Sequence, residues 1–353
     1  MKIDVKSLTL PELIEKLETL GEKKFRATQV YQWLHVKLVE SFDQMTNLSK
    51  ELQSKLNDQF ELICLKEVER YESKIDGTIK FLFELHDGHV IESVLMKYHH
   101  GNSVCISSQV GCRMGCKFCA STIGGLTRNL STSEMLEQIY RIESITGERV
   151  SNVVVMGTGE PLDNYENLVR FVRMLSAAEG LNISQRNITV STCGLADQIL
   201  ELAKEDLNIT LALSLHAPND EDRQKIMPIA NRYSLKQILA ACDEYYKITG
   251  RRISFEYSLV ENVNDSVAQA KELSQLIKGK NCHVNLIPIN PIKERDYRRS
   301  SGSNIQNFKN ILEKNRINVT IRREMGADIN AACGQLRKSY QDKKLEQGGE
   351  SIT

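Results

Sequence analysis

SVCISSQVGCRMGCKFCASTIGG, residues 103–125, runs a short apolar strand straight into a glycine-flanked loop that holds three cysteines, Cys112, Cys116 and Cys119. Beyond that loop the same pattern repeats. Short apolar runs (SNVVVMG, NITVST, ITLALSL, RISFEYSLV, HVNLIPI) alternate with amphipathic stretches such as SEMLEQIYRIESITG and SLKQILAACDEYYKITG, and NVTIRRE closes the series. Apolar residues at helical spacing, set between strand-like runs, predict six βα units followed by one last strand. Repeated βα units build a parallel sheet with right-handed crossovers. Six units fall short of the eight that close a barrel, so the expected fold is α/β, an open, partial (β/α)6 barrel.

In barrels of this kind chemistry gathers at the carboxyl ends of the strands. The unusual residues of this sequence fall there. The cysteine loop follows the first strand and GTGEPLDN (157–164) the second. STCG (191–194) ends the third, SLHAP (214–218) the fourth, and a polar segment from Pro288 to Pro291 the sixth. GADINAACGQL (326–336) follows the final strand.

Two other regimes precede the barrel. Residues 1–60 show helical periodicity in LPELIEKLETL and TQVYQWLHVKLVESF. From 61 to 100 the period changes to two. There Asp76-Gly77 and Asp87-Gly88 each lie between strand-like runs, a signal for tight hairpins. The expected organisation is a small helical N-terminal domain over 1–60, an antiparallel β connector over 61–100, a barrel over 101–340 and a polar tail over 341–353.

The 353 residues are 41% hydrophobic and 26% charged, an ordinary globular composition. The 46 basic and 46 acidic residues cancel, which argues against a protein held on nucleic acid by bulk charge. Local patches remain at Lys23, Lys24 and Arg26, at Arg295, Arg298 and Arg299, and at Arg322 and Arg323. No run approaches the ~18 apolar residues of a membrane span, and the N-terminus lacks an apolar signal core, so a cytoplasmic location is expected. In that compartment clustered cysteines serve as metal ligands or catalytic thiols more often than as disulfides.

Three thiolates suffice to hold three irons of a 4Fe–4S cube, leaving the fourth iron open to an outside molecule. Structural zinc asks for four ligands, and no second C-x-x-C knuckle stands at suitable spacing. A catalytic zinc with three cysteines stays open as an alternative.

C-x-x-x-C-x-x-C after the first strand of a six-unit βα barrel resembles the signature of radical S-adenosylmethionine (SAM) enzymes. CISSQVGCRMGCKFCAS (105–121), GTGEPLDN, STCG, SLHAP, NLIPIN (285–290) and especially GADINAACGQL are similar to the RlmN/Cfr family of RNA adenine methyltransferases, and the likeness spans essentially the whole chain. It implies a 4Fe–4S cluster on Cys112, Cys116 and Cys119, with SAM as both methyl donor and radical source. Cys333 matches the family's methyl-carrying cysteine and Cys105 its partner, which closes a disulfide with Cys333 when product leaves. Glu92 in HVIESVLMKY matches the group that removes the ring proton. Gly159 and Glu160 resemble the loop that receives the methionine amino group, and Ser191, Ser214, Leu215, His216 and Asn290 match further SAM positions. The remaining cysteines, Cys64, Cys193, Cys242 and Cys282, read as structural.

Carbon 2 of adenine is electron-poor and cannot attack SAM as an ordinary nucleophile, which is why the family uses a radical route that consumes two SAM molecules. Pro161 resembles the RlmN branch, acting on carbon 2, more than Cfr-type enzymes acting on carbon 8. The resemblance implies 23S rRNA at the peptidyl transferase centre and an anticodon-adjacent adenosine of transfer RNA as substrates. It also implies an electron donor such as flavodoxin or ferredoxin, and a monomer. KKFRATQVYQWLH (23–35) reads as an RNA contact or as a core helix using Tyr31 and Trp33. The rival readings are a radical SAM enzyme for a small molecule, with Cys333 structural, and an iron–sulfur or zinc module that binds RNA.

Overall fold

Ten strands share one sheet in the computed structural model, which describes residues 2–292, 294–332, 334 and 335. Cys333 and the tail from residue 336 lie outside the described residues. Strands β1 (Lys66–Glu72), β2 (Ile79–Glu84), β3 (Val90–Tyr98) and β4 (Gly101–Ile106) run as an antiparallel meander. From β4 onward every pairing is parallel, through β5 (Val150–Val155), β6 (Ile188–Thr192), β7 (Thr210–Ser214), β8 (Ile253–Leu259), β9 (Cys282–Pro288) and β10 (Asn318–Ile321). β1 and β10 each pair on one side only, so the barrel is open. The antiparallel strands are no separate layer. β4 pairs with β3 through Val94↔Cys105 and with β5 through Cys105↔Val154, so the meander continues the barrel wall.

Helices α1 (Leu10–Thr19), α2 (Lys24–His35) and α3 (Lys50–Gln59) form the N-terminal unit. Around the barrel run α4 (Thr132–Thr146), α5 (Tyr165–Ser176), α6 (Ala196–Leu202), α7 (Asp220–Ile226), α8 (Leu235–Thr249), α9 (Val267–Leu276) and α10 (Gly302–Lys314). Their starts are chemically marked. Ser131, Ser234 and Ser266 close capping boxes with Glu134, Gln237 and Gln269, satisfying N–H groups that the first turn leaves unpaired. Helix α7, seven residues long, is too short to show a periodicity and was not expected.

The strands alternate strictly. Val104, Val153, Val190, Leu211, Phe255 and Val284 face outward and are shielded by helices. The opposite face carries Ser214, Glu256 and Asn285, brought side by side by the strand register, and Ser191, which pairs with Ala212. A closed eight-stranded barrel packs its interior with branched side chains. Here small and polar residues leave the interior as a cavity.

The N-terminal unit docks on α4. Lys6 Nζ lies 2.5 Å from Glu137 Oε1, with both side chains almost wholly excluded from solvent, and Glu137 Oε2 accepts the Leu65 N–H at 3.1 Å. His35 Nδ1 and the Tyr140 hydroxyl are 2.8 Å apart. Breaking a buried pair costs several kcal/mol because one charge is left uncompensated, so Lys6–Glu137 ties the unit to one position. Tyr31 is buried in this core, whereas Phe25 is 51% exposed. Trp33 is half-buried, with the Lys37 ammonium 3.6 Å from its ring centre. Among the described residues no helix is long and apolar enough to cross a membrane.

Candidate active site

A small antiparallel pairing of Gln109–Gly111 with Leu126–Asn129 pins both ends of the cysteine loop. Gly111 stands at φ 78, and a Cβ there would lie 2.0 Å from the Gly125 carbonyl oxygen, so only glycine permits this crossing. Cys112, Cys116 and Cys119 then line one wall of a cavity at the carboxyl ends of the strands. The cavity encloses about 950 Å³, counting its open mouth. Burial pushes the Cys112 thiol up to about 12, with the nearby Glu160 charge adding to the effect. Cys116 is driven well above the ordinary thiol range by burial and by the charges of Cys119 and Cys112.

The opposite wall is built from the GTGEP loop. Its Thr158 carbonyl accepts the N–H groups of Ser108 and Gln109, and Gly159, at φ 111, lies so close to Ser108 and Gln109 that a Cβ would come within 2.7 Å of either. Glu160 is buried. Its Oε2 accepts the Cys193 N–H at 2.7 Å and its Oε1 the Leu162 N–H at 3.1 Å. Burial raises its pKa, and these hydrogen bonds oppose the rise. A carboxylate held this way offers an acceptor to an ammonium group.

Ser191, Ser214, His216 and Asn290 line the same cavity. His216 is held at φ 56, with Asn264 Nδ2 donating to its carbonyl at 2.7 Å. Its Nδ1 accepts the Ser258 N–H at 2.9 Å, which assigns the ring proton to Nε2. Burial, with a further contribution from the Arg223 charge, lowers its pKa to about 3, so the ring is neutral. Leu215 does not join them. It is fully buried, off the cavity wall, and its carbonyl faces Arg223. Cys193 does line the cavity, but burial and the adjacent Glu160 keep its thiol protonated.

A second cavity adjoins the first through Met156, Ile287, Asn290 and Arg322. Cys105 opens onto it and belongs to an apolar cluster with Val94, Met96, Met325 and Ala331. Ala331 and Ala332 immediately precede Cys333. The flanking chain is fixed at several points. Asp76 Oδ2 accepts the Gly326 N–H at 2.9 Å, the Lys80 ammonium donates to the Asn330 carbonyl at 3.3 Å, and the Ala120 N–H donates to the Gly334 carbonyl at 2.8 Å. Ala331 thus packs in the Cys105 cluster, while Gly334 is tied to Ala120 beside the cysteine loop. Glu92 is buried on the β3 face that also presents Val94, and its carboxylate lies 3.4 Å from Lys80 Nζ.

Among the lining residues that the sequence does not mark out, two are charged. Glu256 is buried, accepting hydrogen bonds from Ser254 Oγ at 2.9 Å and Asn285 Nδ2 at 2.8 Å, and Arg322 approaches it to 3.9 Å. The usable signal was a lone acid in the apolar run RISFEYSLV. In the sequence Arg322 reads only as part of a local basic patch with Arg323.

The donor set fits a cluster. Buried thiols with pKa values this high become thiolates only against a strong cation, and metal coordination deprotonates a thiol outright. Cys112, Cys116 and Cys119 all line the one cavity, beside Gly159 and Glu160.

Residues 106–273 match the radical SAM superfamily, and residues 3–62 match the ribosomal RNA large subunit methyltransferase N-terminal domain. Fold and site thus define a radical SAM enzyme. A probable dual-specificity RNA methyltransferase RlmN from Lachnoclostridium phytofermentans is 72% identical over 98% of this chain and 97% of its own length. Its counterpart from Lachnospira eligens is 63% identical over 98% and 99%. The crystal structure of a radical SAM methyltransferase from Sphaerobacter thermophilus matches with a TM-score of 0.92 at 45% identity, covering 95% of this chain and 99% of that one. The chain belongs to the RlmN family of radical SAM methyltransferases.

Proposed function

We propose that this enzyme methylates carbon 2 of adenine in 23S rRNA and in transfer RNA, through a methyl group carried on Cys333. The observation that supports the reading is that Ala331 packs with Cys105 at one cavity, while Gly334 lines the adjoining cavity of Cys112, Cys116 and Cys119 and accepts the Ala120 N–H. When bound, the cluster and SAM would supply an electron, a methyl group and a hydrogen-abstracting radical. Cys112, Cys116 and Cys119 would hold three irons. Glu160 would accept the SAM ammonium, and Ser191, Ser214, His216 and Asn290, which line the same cavity, would hold the rest of it.

The chain's own groups divide the remaining work. The Cys333 thiolate takes the methyl by displacement, forming a carbon–sulfur bond as the sulfonium bond breaks. After carbon joins the ring, Glu92 accepts the proton lost from carbon 2, and the adduct's unpaired electron would return to the cluster. The Cys105 thiolate then attacks the sulfur of Cys333. A sulfur–sulfur bond forms, the carbon–sulfur bond breaks, and its electron pair takes a proton to complete the product methyl. A dithiol reductant must reopen the disulfide. An unpaired base must be delivered to this depth, which requires unstacking it from the RNA. Arg299, Arg322 and Arg323 at the second cavity supply positive charge for the backbone.

Protein purified without oxygen in the presence of SAM should carry one added methyl on the Cys333 peptide by mass spectrometry, and should convert one adenosine of a 23S rRNA fragment to its 2-methyl form. An unmodified Cys333 in protein that holds cluster and SAM overturns the reading.

A further inference from the structure

Helix α7 carries Arg223, whose side chain is wholly excluded from solvent. Its Nε donates to the Leu215 carbonyl at 3.1 Å, and its Nη2 donates to the carbonyls of Cys193 at 2.6 Å and Ser214 at 3.1 Å. The remaining nitrogen, Nη1, is buried with no hydrogen-bond partner. Among the described residues no carboxylate hydrogen-bonds this guanidinium; Asp220, whose Oδ1 accepts the Leu235 N–H, acts on it only through space. A buried cation whose hydrogen-bond partners are all neutral carbonyls is costly, and folds keep one where an anion completes it.

The location says which anion. Cys193 and Ser214, whose carbonyls Arg223 grips, line the cavity that Cys112, Cys116 and Cys119 also line. Helix α7 abuts the cysteine loop directly. The Lys117 N–H donates to the Ile226 carbonyl at 2.9 Å, and Pro228 lies 3.3 Å from where a Cβ on Gly115 would stand. The Arg223 charge is felt at Cys116 and at Cys193.

We infer that Arg223 is the buried counter-charge of the iron–sulfur cluster, a positioning residue that favours the reduced cluster and so raises its reduction potential. The inference rests on the radical SAM reading of the site. A cube with three thiolates is anionic and gains a further negative charge with each electron taken from the external one-electron donor. A fixed cation in a poorly screened interior stabilises the more negative state more.

The test is a redox titration of the reconstituted protein, followed by electron paramagnetic resonance, with no RNA or SAM present. Arg223→Met should move the midpoint to more negative potential, and Arg223→Lys should stay near the parent. Thermal melts supply a second readout: the rise in Tm on reconstitution should be smaller for Arg223→Met than for the parent, because the apo parent already bears an uncompensated charge. Should the Met variant not fold, Arg223→Gln takes its place, keeping a hydrogen-bonding head without charge. Variants that load iron and sulfide normally, with unchanged midpoint and an unchanged Tm gain, overturn the inference and leave the function standing. So does an equal midpoint shift in the Lys and Met variants. A parent protein that binds no cluster brings down the function itself.

Discussion

Glu160 Oε2 accepts the backbone N–H of Cys193 at 2.7 Å, joining the loop after β5 to the end of β6 across the floor of the cavity. The carboxylate is therefore held by the fold before any ligand arrives, with its charge kept in a buried site.

Replacing that charge should show in SAM binding. Glu160→Gln keeps the shape but offers the SAM ammonium a neutral acceptor. Loss of one charge-assisted hydrogen bond, about 1.5–3 kcal/mol, corresponds to roughly 10- to 150-fold weaker affinity. Anaerobic calorimetry on cluster-loaded protein measures it, and an unchanged affinity removes Glu160 from the ammonium site.

Cys105 is expected to act after carbon has joined the ring. Cys105→Ala should leave methylation of Cys333 intact, yet trap protein covalently on RNA, visible as a slowed band on denaturing gels. A variant that turns over freely and leaves no adduct would assign release to another group.

Lys80 and Glu92 form a buried pair 3.4 Å apart, and Lys80 also holds the Asn330 carbonyl. Removing one member leaves the other charge buried, at a cost of about 3–5 kcal/mol. Lys80→Met and Glu92→Leu should each be strongly destabilising in urea, and the double variant less so than the sum of the two. Strict additivity in that cycle would show that the two side chains do not interact.

Acid should loosen the protein through two histidines. Burial lowers both His35 and His216 to about 3, against about 6.5 in an unfolded chain. Between those values the unfolded chain binds protons that the folded one refuses, so this contribution is complete above pH 6.5 and is lost as pH falls toward 3. The slope is about 1.4 kcal/mol per pH unit for each histidine. His35→Gln removes one of the two, so urea midpoints at pH 7 and pH 5.5 should lie closer together in that variant than in the parent. Equal spacing would mean His35 is protonated in the folded state.

Much of this arrangement was legible in the sequence because its causes are local. Apolar periods of two and 3.6 separate strands from helices. The Asp-Gly pairs lie in turns as expected, and serine with a Glu or Gln three residues on begins α4, α8 and α9. Cys112, Cys116, Cys119, Gly159, Glu160, Ser191, Ser214, His216 and Asn290 all reach one cavity. They do so because residues at the carboxyl ends of parallel strands have nowhere else to point. Leu215 does not, since the turn at His216 sends neighbouring side chains apart.

The order of the elements, and which of their ends carry chemistry, were decided by the chain alone, through hydrophobic spacing and capping chemistry that act within a few residues. The tertiary structure alone decided that Cys105 meets Ala331, that the meander holding Glu92 continues the barrel wall, and that Glu256 and Arg322 face inward. It also decided that Arg223 is enclosed with its Nη1 lacking a hydrogen-bond partner among the described residues. These are matters of burial and of contact between distant segments, and a charge has no fixed meaning until packing sets how much water surrounds it.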